Sequence, residues 1–152
     1  MKVTTDQIKK LRVRTGAPVI RAKKVLEEVN GDEKKAFVIL QKEGFEKAAK
    51  RADRQTSQGV VVSYVHHNNK IAATVELLCE TDFVAKNELF GQLAHNLAMQ
   101  VASLDPKDVK ELEKQEFIKD PSKKIADLVK ELIAKTGENV RIGRFYRVEI
   151  GN

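Results

Sequence analysis

The chain has 152 residues, 41% hydrophobic and 33% charged, with one cysteine and a net charge of +6. That length suits one compact domain with at most a small module, and that composition excludes a disordered or fibrous chain. No apolar run approaches the roughly 18 to 20 residues that cross a bilayer, and the opening MKVTTDQIKKLR lacks the apolar stretch and cleavage site of a signal peptide.

The charge is uneven. Residues 1–54 hold 15 Lys/Arg against 8 Asp/Glu, residues 55–105 hold 2 against 5, and residues 106–152 hold 11 against 9. The basic excess therefore belongs to the first third, where it favours an acidic partner, either nucleic acid or an acidic protein surface.

Residues 4–13 read as a short helix capped by Thr4 or Thr5, with Val3, Ile8 and Leu11 on one side. Gly16 suits a left-handed stop and Pro18 the first turn of a second helix, 18–29. Asn30-Gly31-Asp32 forms a turn, and Asp32 caps a third helix over 33–42 that carries Ala36, Phe37, Ile39 and Leu40. Gly44 breaks that pattern, and 45–56 reads as a charged connecting helix.

The period then changes. β-Branched runs flank Asn68-Asn69, which suits a two-residue hairpin loop. This register opposes position 60 to 77 and 62 to 75. It places Val60, Val62, Tyr64, His66, Ile71, Ala73, Val75, Leu77 and Cys79 on one, core-like face. The other face, with Val61, Val65, Ala72 and Leu78, is too apolar to stand open, so a further element or a second subunit is expected over it.

Residues 88–103 form a helix capped by Asn87, with Leu89, Phe90, Leu93, Ala94, Leu97 and Val101 as its apolar stripe. Asp105-Pro106 starts a short polar helix or linker. A last helix spans about 122–135, and a third strand alternates Ile142, Tyr146, Val148 and Ile150 with charges. The class is α+β: a three-helix module at 1–43, a connecting helix at 44–57, and a core at 58–152 with a small three-stranded antiparallel sheet packed on helices.

Enzyme signatures are missing: the sequence holds no phosphate-binding GxxxxGK[ST] loop and no GxSxG elbow. Cys79 lies mid-core, as a buried thiol of a reducing cytosol. His66 and His67, as neighbours on a strand, point to opposite faces and cannot chelate one metal together. His95 lies opposite the apolar stripe of its helix. The basic module has only Phe37 and Phe45 as aromatics, both core-like or boundary, so the stacking platform of a single-strand binder is lacking.

One stretch stands apart, Thr81-Asp82-Phe83-Val84-Ala85. Two readings of it stand side by side. Thr81 or Asp82 caps a turn that Phe83 staples to the core. Or Phe83 is an exposed anchor for a partner's pocket, beside a carboxylate, on a rigid strand end.

Three stretches resemble the elongation factor Ts family: KKLRVRTGAPVIRAKKVLEEVNGDEKKAFVILQKEGFEKAAKRADR, ELLCETDFVAKNELFGQLA and PSKKIADLVKELIAKTGENVRIGRFYRVEIG. They follow the family's order and span most of the chain. The resemblance implies a module related in shape to ubiquitin-associated domains, followed by a dimerisation-type core. It implies a cytoplasmic guanine-nucleotide exchange factor for elongation factor Tu, with no cofactor or metal of its own and no bond-making step. Lys9, Leu11, Arg12, Val19, Ile20 and Lys23 would dock on Tu. Thr81, Asp82, Phe83 and Val84 would reach the Mg²⁺ end of its nucleotide site.

The family's longer members carry a further subdomain or helical insertion before the C-terminal part, where this chain has about twenty polar residues. A homodimer bridging two Tu molecules is expected, with no membrane and no direct nucleic-acid contact. The alternative is a basic RNA- or ribosome-associated binding protein.

Overall fold

The computed structural model of the protein describes residues 2–152; Met1 lies outside them. The N-terminal helices are α1 (Thr5–Thr15), α2 (Val19–Glu28) and α3 (Glu33–Lys50). Thr4 caps α1 in a reciprocal box: its hydroxyl accepts from the Gln7 N–H, and the Gln7 side chain accepts from the Thr4 N–H. Gly16 ends α1 in the left-handed conformation, with φ 72°. Asp32 caps α3 by accepting from the N–H groups of Lys34 and Lys35. Leu11, Ala22, Val25, Leu26, Ala36 and Leu40 close into a small separate core. Each fully buried Val or Leu there contributes about 1.5–3 kcal/mol.

The third helix does not break at Gly44. It runs unbroken from Glu33 to Lys50 and absorbs the first part of the expected connecting helix. A Cβ on residue 44 would sit 3.1 Å from the Ala134 Cβ. The glycine thus allows close helix contact rather than marking a stop. Ala36 and Leu40 of α3 belong to the small core and Ala48 to the larger one, so a single rigid rod joins both.

The larger core lies under the sheet of β1 (Gln58–Val65), β2 (Ile71–Cys79) and β5 (Val140–Glu149), in the order β1-β2-β5, all antiparallel. The hairpin pairs Val60 with Leu77 and Val62 with Val75, the register read from the sequence. Its loop is wider than expected. The strands end at Val65 and Ile71, and of the two asparagines only Asn69 has positive φ, 57°, where a two-residue loop of the anticipated kind needs both. The Asn68 side chain accepts from the Lys70 N–H and supports this longer turn.

Against the inner sheet face lie α5 (Glu88–Leu104), capped by Asn87, and α7 (Ile125–Thr136). Phe90, Leu97, Val101 and Ile125 are fully buried there with Val75, Leu77 and Cys79. Between β2 and α5 lies the four-residue helix α4 (Asp82–Ala85), and after α5 comes α6 (Val109–Lys114). Asp108 rather than Asp105 caps α6, because Asp105 terminates α5 in a left-handed conformation.

Two further differences concern the C-terminal third. A small hairpin, β3 (Glu116–Phe117) with β4 (Asp120–Lys124), precedes α7, so residues 122–124 are strand and the helix starts at Ile125. Its two- and five-residue strands show no alternation to read. The buried Gln100 of α5 holds it, donating to the Glu116 carbonyl and accepting from the Ile118 N–H.

In β5, Ile142 faces the core but Tyr146 and Val148 face outward, as does Ile150 just past the strand's end, although the sequence groups all four together. The register shifts between Val75 and Leu77, so Gly143 and Arg144 together oppose Glu76. This bulge reverses the side-chain alternation beyond it. Among the described residues, no helix is long and apolar enough to cross a membrane.

Candidate functional site

Strand β2 delivers the chain to a tight corner. The Cys79 thiol, its pKa pushed up by burial and by the Glu138 carboxylate, donates to the Thr81 carbonyl at 3.1 Å. The Thr81 hydroxyl accepts from the Val84 N–H at 3.4 Å and so caps α4. It also donates to Glu138 Oε2 at 2.6 Å. The half-buried Val84 and Ala85 pack on the core and seat α4 there.

The two remaining residues point away. Asp82 is exposed and pairs with Lys86 at 3.5 Å, one helical turn on. Phe83 is 83% exposed. The turn is capped as one reading supposed, but Phe83 does not staple it. An aromatic ring held in water on a seated helix is the arrangement the anchor reading requires.

Sequence reasoning missed the support of this corner. Glu138 Oε1 accepts from the N–H groups of Glu80, at 3.1 Å, and Thr81, at 2.9 Å. The Glu80 carboxylate accepts from the Asn139 N–H at 2.7 Å and pairs with Arg54 at 3.6 Å. The Asn139 side chain donates to the carbonyls of Ala52 and Arg54. The signal was available only through the β2–β5 register, which brings 80 and 81 opposite 139 and 138.

The candidate docking residues sit on α1 and α2. Lys9, Arg12, Val19, Ile20 and Lys23 are exposed, Ile20 at 82%. Lys23 pairs with Glu27 at 3.8 Å. Leu11 is a correction: it is 1% exposed and packs in the core of the module, so its side chain offers no surface to a partner. An apolar residue on the inner stripe of an amphipathic helix packs against its neighbours. Val13, two positions on, is the exposed apolar residue of α1.

His66 and His67 differ from expectation as well. Both lie beyond the end of β1, so their rings stand 4.1 Å apart rather than on opposite faces, and Tyr64 Oη lies 2.9 Å from His66 Nδ1. Among the described residues, no group of three or more His, Cys, Asp or Glu is placed to hold a metal.

The outer sheet face carries Val61, Val65, Tyr146, Val148 and Ile150, all exposed. It is the apolar surface expected from the hairpin, enlarged by the outward-turned end of β5.

A three-helix module joined by one rod to a core of helices on a three-stranded antiparallel sheet, with an exposed aromatic tip on a braced corner, defines a protein of the α+β class. The comparisons narrow that class. A sequence model of the family described as elongation factor TS matches residues 80–152. The elongation factor Ts of Thermotoga maritima is 43% identical over 194 positions, covering 99% of this chain and 98% of the relative. Those of Fervidobacterium nodosum and Herpetosiphon aurantiacus are 37% and 38% identical, at 99% or more of both chains. The chain belongs to the elongation factor Ts family and is thus a translation elongation factor.

The 194-position alignment exceeds the 152 residues of this chain by 42 positions, yet covers both proteins almost end to end. The relative therefore holds internal residues that have no counterpart here.

Proposed function

We propose that the protein is a cytoplasmic guanine-nucleotide exchange factor that binds elongation factor Tu carrying GDP and promotes GDP release. The observation that carries this reading is Phe83, an exposed ring on a capped and seated helix in a chain of the Ts family. The exposed Lys9, Arg12, Val19, Ile20 and Lys23 of α1 and α2 dock on the nucleotide-binding domain of Tu. The tip then reaches the Mg²⁺ end of the nucleotide site. Phe83 wedges between elements of Tu, and Asp82 disturbs the ion's surroundings; Thr81 and Val84 hold the tip in shape.

The physics needs no covalent step. Mg²⁺ is held by few protein ligands together with the phosphates, so disturbing them costs nucleotide affinity. The coupling between the two ligands of Tu is reciprocal: GDP weakens factor binding as much as the factor weakens GDP. The exposed outer face, with Val61, Val65, Tyr146, Val148 and Ile150, supports a homodimer through this sheet and two factors bridging two Tu molecules. The division into a helical module, a connector and a core belongs to the same proposal, since it separates docking from displacement. Release of fluorescent GDP from Tu, followed with and without this protein, tests the reading.

A further inference from the structure

We propose that Glu138 is a positioning residue for nucleotide release, holding the Asp82-Phe83 tip through Thr81; this rests on the exchange reading above. Backbone pairing of β2 with β5 reaches Cys79 opposite Val140. In the same register the next two pairs are Glu80 with Asn139 and Thr81 with Glu138. There the ladder continues through side chains. The Glu80 carboxylate accepts from the Asn139 N–H, and Glu138 Oε1 accepts from the Glu80 and Thr81 N–H groups. Two carboxylates thus take the place of backbone carbonyls just where the chain leaves the sheet.

Glu138 does more than extend the ladder. A carboxylate only accepts hydrogen bonds, so the Thr81 hydroxyl proton points at Oε2, 2.6 Å away. The lone pairs of that hydroxyl are left to face the Val84 N–H, the bond that caps α4. Glu138 therefore sets the rotor that sets the first turn of the helix carrying Phe83. It follows directly on Gly137, the left-handed stop of α7. A fixed helix end thereby braces an otherwise exposed tip. A four-residue helix is too short to hold its own shape in water. A tip ordered before contact loses less entropy on binding than one that must fold against its partner.

The test is steady-state release of fluorescent GDP from Tu by the full chain and four variants: Glu138→Ala, Glu138→Gln, Phe83→Ala and the Glu138→Ala/Phe83→Ala double variant. Glu138→Ala lowers the maximal release rate about tenfold or more and leaves the KM for Tu within about twofold, because a tip misplaced by about 1 Å loses contacts that docking does not use. Glu138→Gln keeps an oxygen for both backbone N–H groups but turns its amide NH2 toward the Thr81 hydroxyl and no longer fixes that proton, so its maximal rate falls between those of wild type and Glu138→Ala. In the Phe83→Ala background, Glu138→Ala adds less than about twofold, since the tip it positions is gone.

Should Glu138→Ala not fold, Glu138→Asp carries the same test by withdrawing the carboxylate one methylene from Thr81. Full activity of the Glu138 variants, a loss confined to KM, or a loss that multiplies in full with Phe83→Ala overturns the proposal. A wild type that accelerates release beside equally active Glu138 variants sinks the positioning role alone. A wild type that does not accelerate it sinks the exchange reading as well.

Discussion

The Glu76 carboxylate takes three hydrogen bonds from Arg144, one from its backbone N–H at 2.8 Å and two from its guanidinium at 2.9 and 3.0 Å. The pair fills the bulge that turns the end of β5 outward, and it ties a central strand to an edge strand on the exposed face of the sheet. These hydrogen bonds, with the guanidinium's charge, hold the Glu76 carboxyl below the usual carboxylate range, at about 2.

A pH dependence follows. Because the folded carboxyl titrates lower than the unfolded one, its contribution is present in full above the usual carboxylate range and is lost as pH falls toward about 2. Melting temperatures measured from about pH 5 down to about pH 2, across the carboxylate titration range, should fall less steeply in Glu76→Gln than in wild type. Parallel curves for the two proteins would contradict this.

Gly16 tests how tightly the module meets the core. A Cβ there would lie 2.7 Å from the Ala134 carbonyl oxygen and from the Lys135 Cα, and the backbone is already at φ 72°. Gly16→Ala is expected to cost about 2 kcal/mol or more, since strain and overlap add. Urea unfolding should show a lower midpoint; an unchanged midpoint would mean that the module rides loosely on α7.

Gln100 tests the small hairpin. It is fully buried, and its amide holds Glu116 and Ile118. Gln100→Leu leaves both backbone groups without their partner, a loss of about 1–3 kcal/mol. Hydrogen exchange at the Ile118 amide should rise in that variant more than exchange in β2.

The outer sheet face predicts an oligomer. Sedimentation should find wild type dimeric at micromolar concentrations, roughly the range in which interfaces of standard size associate. Val148→Lys, at a position exposed beside Tyr146 and Ile150, should give monomers of unchanged helix and strand content. A wild type that is monomeric at every concentration would leave this face without the proposed partner.

Local chemistry was legible wherever its cause lies within a few residues. Thr4, Asp32 and Asn87 cap the helices they precede, and the 60–77 register follows from two β-branched runs around one turn. What stayed hidden has distant causes. Gly44 reads as a break because Ala134, its reason, lies ninety positions away. The β5 alternation reads as one face because Gly143, the mark of the bulge in β5 itself, was passed over, and its reason, a Glu76 side chain that would lie 2.8 Å from a Cβ there, comes from a distant strand.

The candidate site divides in the same way. The tip residues stand out as an acidic and aromatic pair in a short connection, and the exposure of Phe83 then separates anchor from staple. Leu11 was misplaced, since helical spacing places it inward with Ile8 while the resemblance places it at a surface. Glu138 was invisible because its partners, Glu80 and Thr81, meet it only once β2 and β5 have paired.

The most direct measurement is the rate of fluorescent GDP release from Tu with wild type and with Phe83→Ala, alongside the melting temperature of each. Wild type should accelerate release catalytically. Phe83→Ala should lose about tenfold or more of that acceleration, as the removal of an anchor does, with the melting temperature changed by no more than about 2 °C, as for a surface substitution. No acceleration by wild type, or full acceleration by Phe83→Ala, would contradict the account.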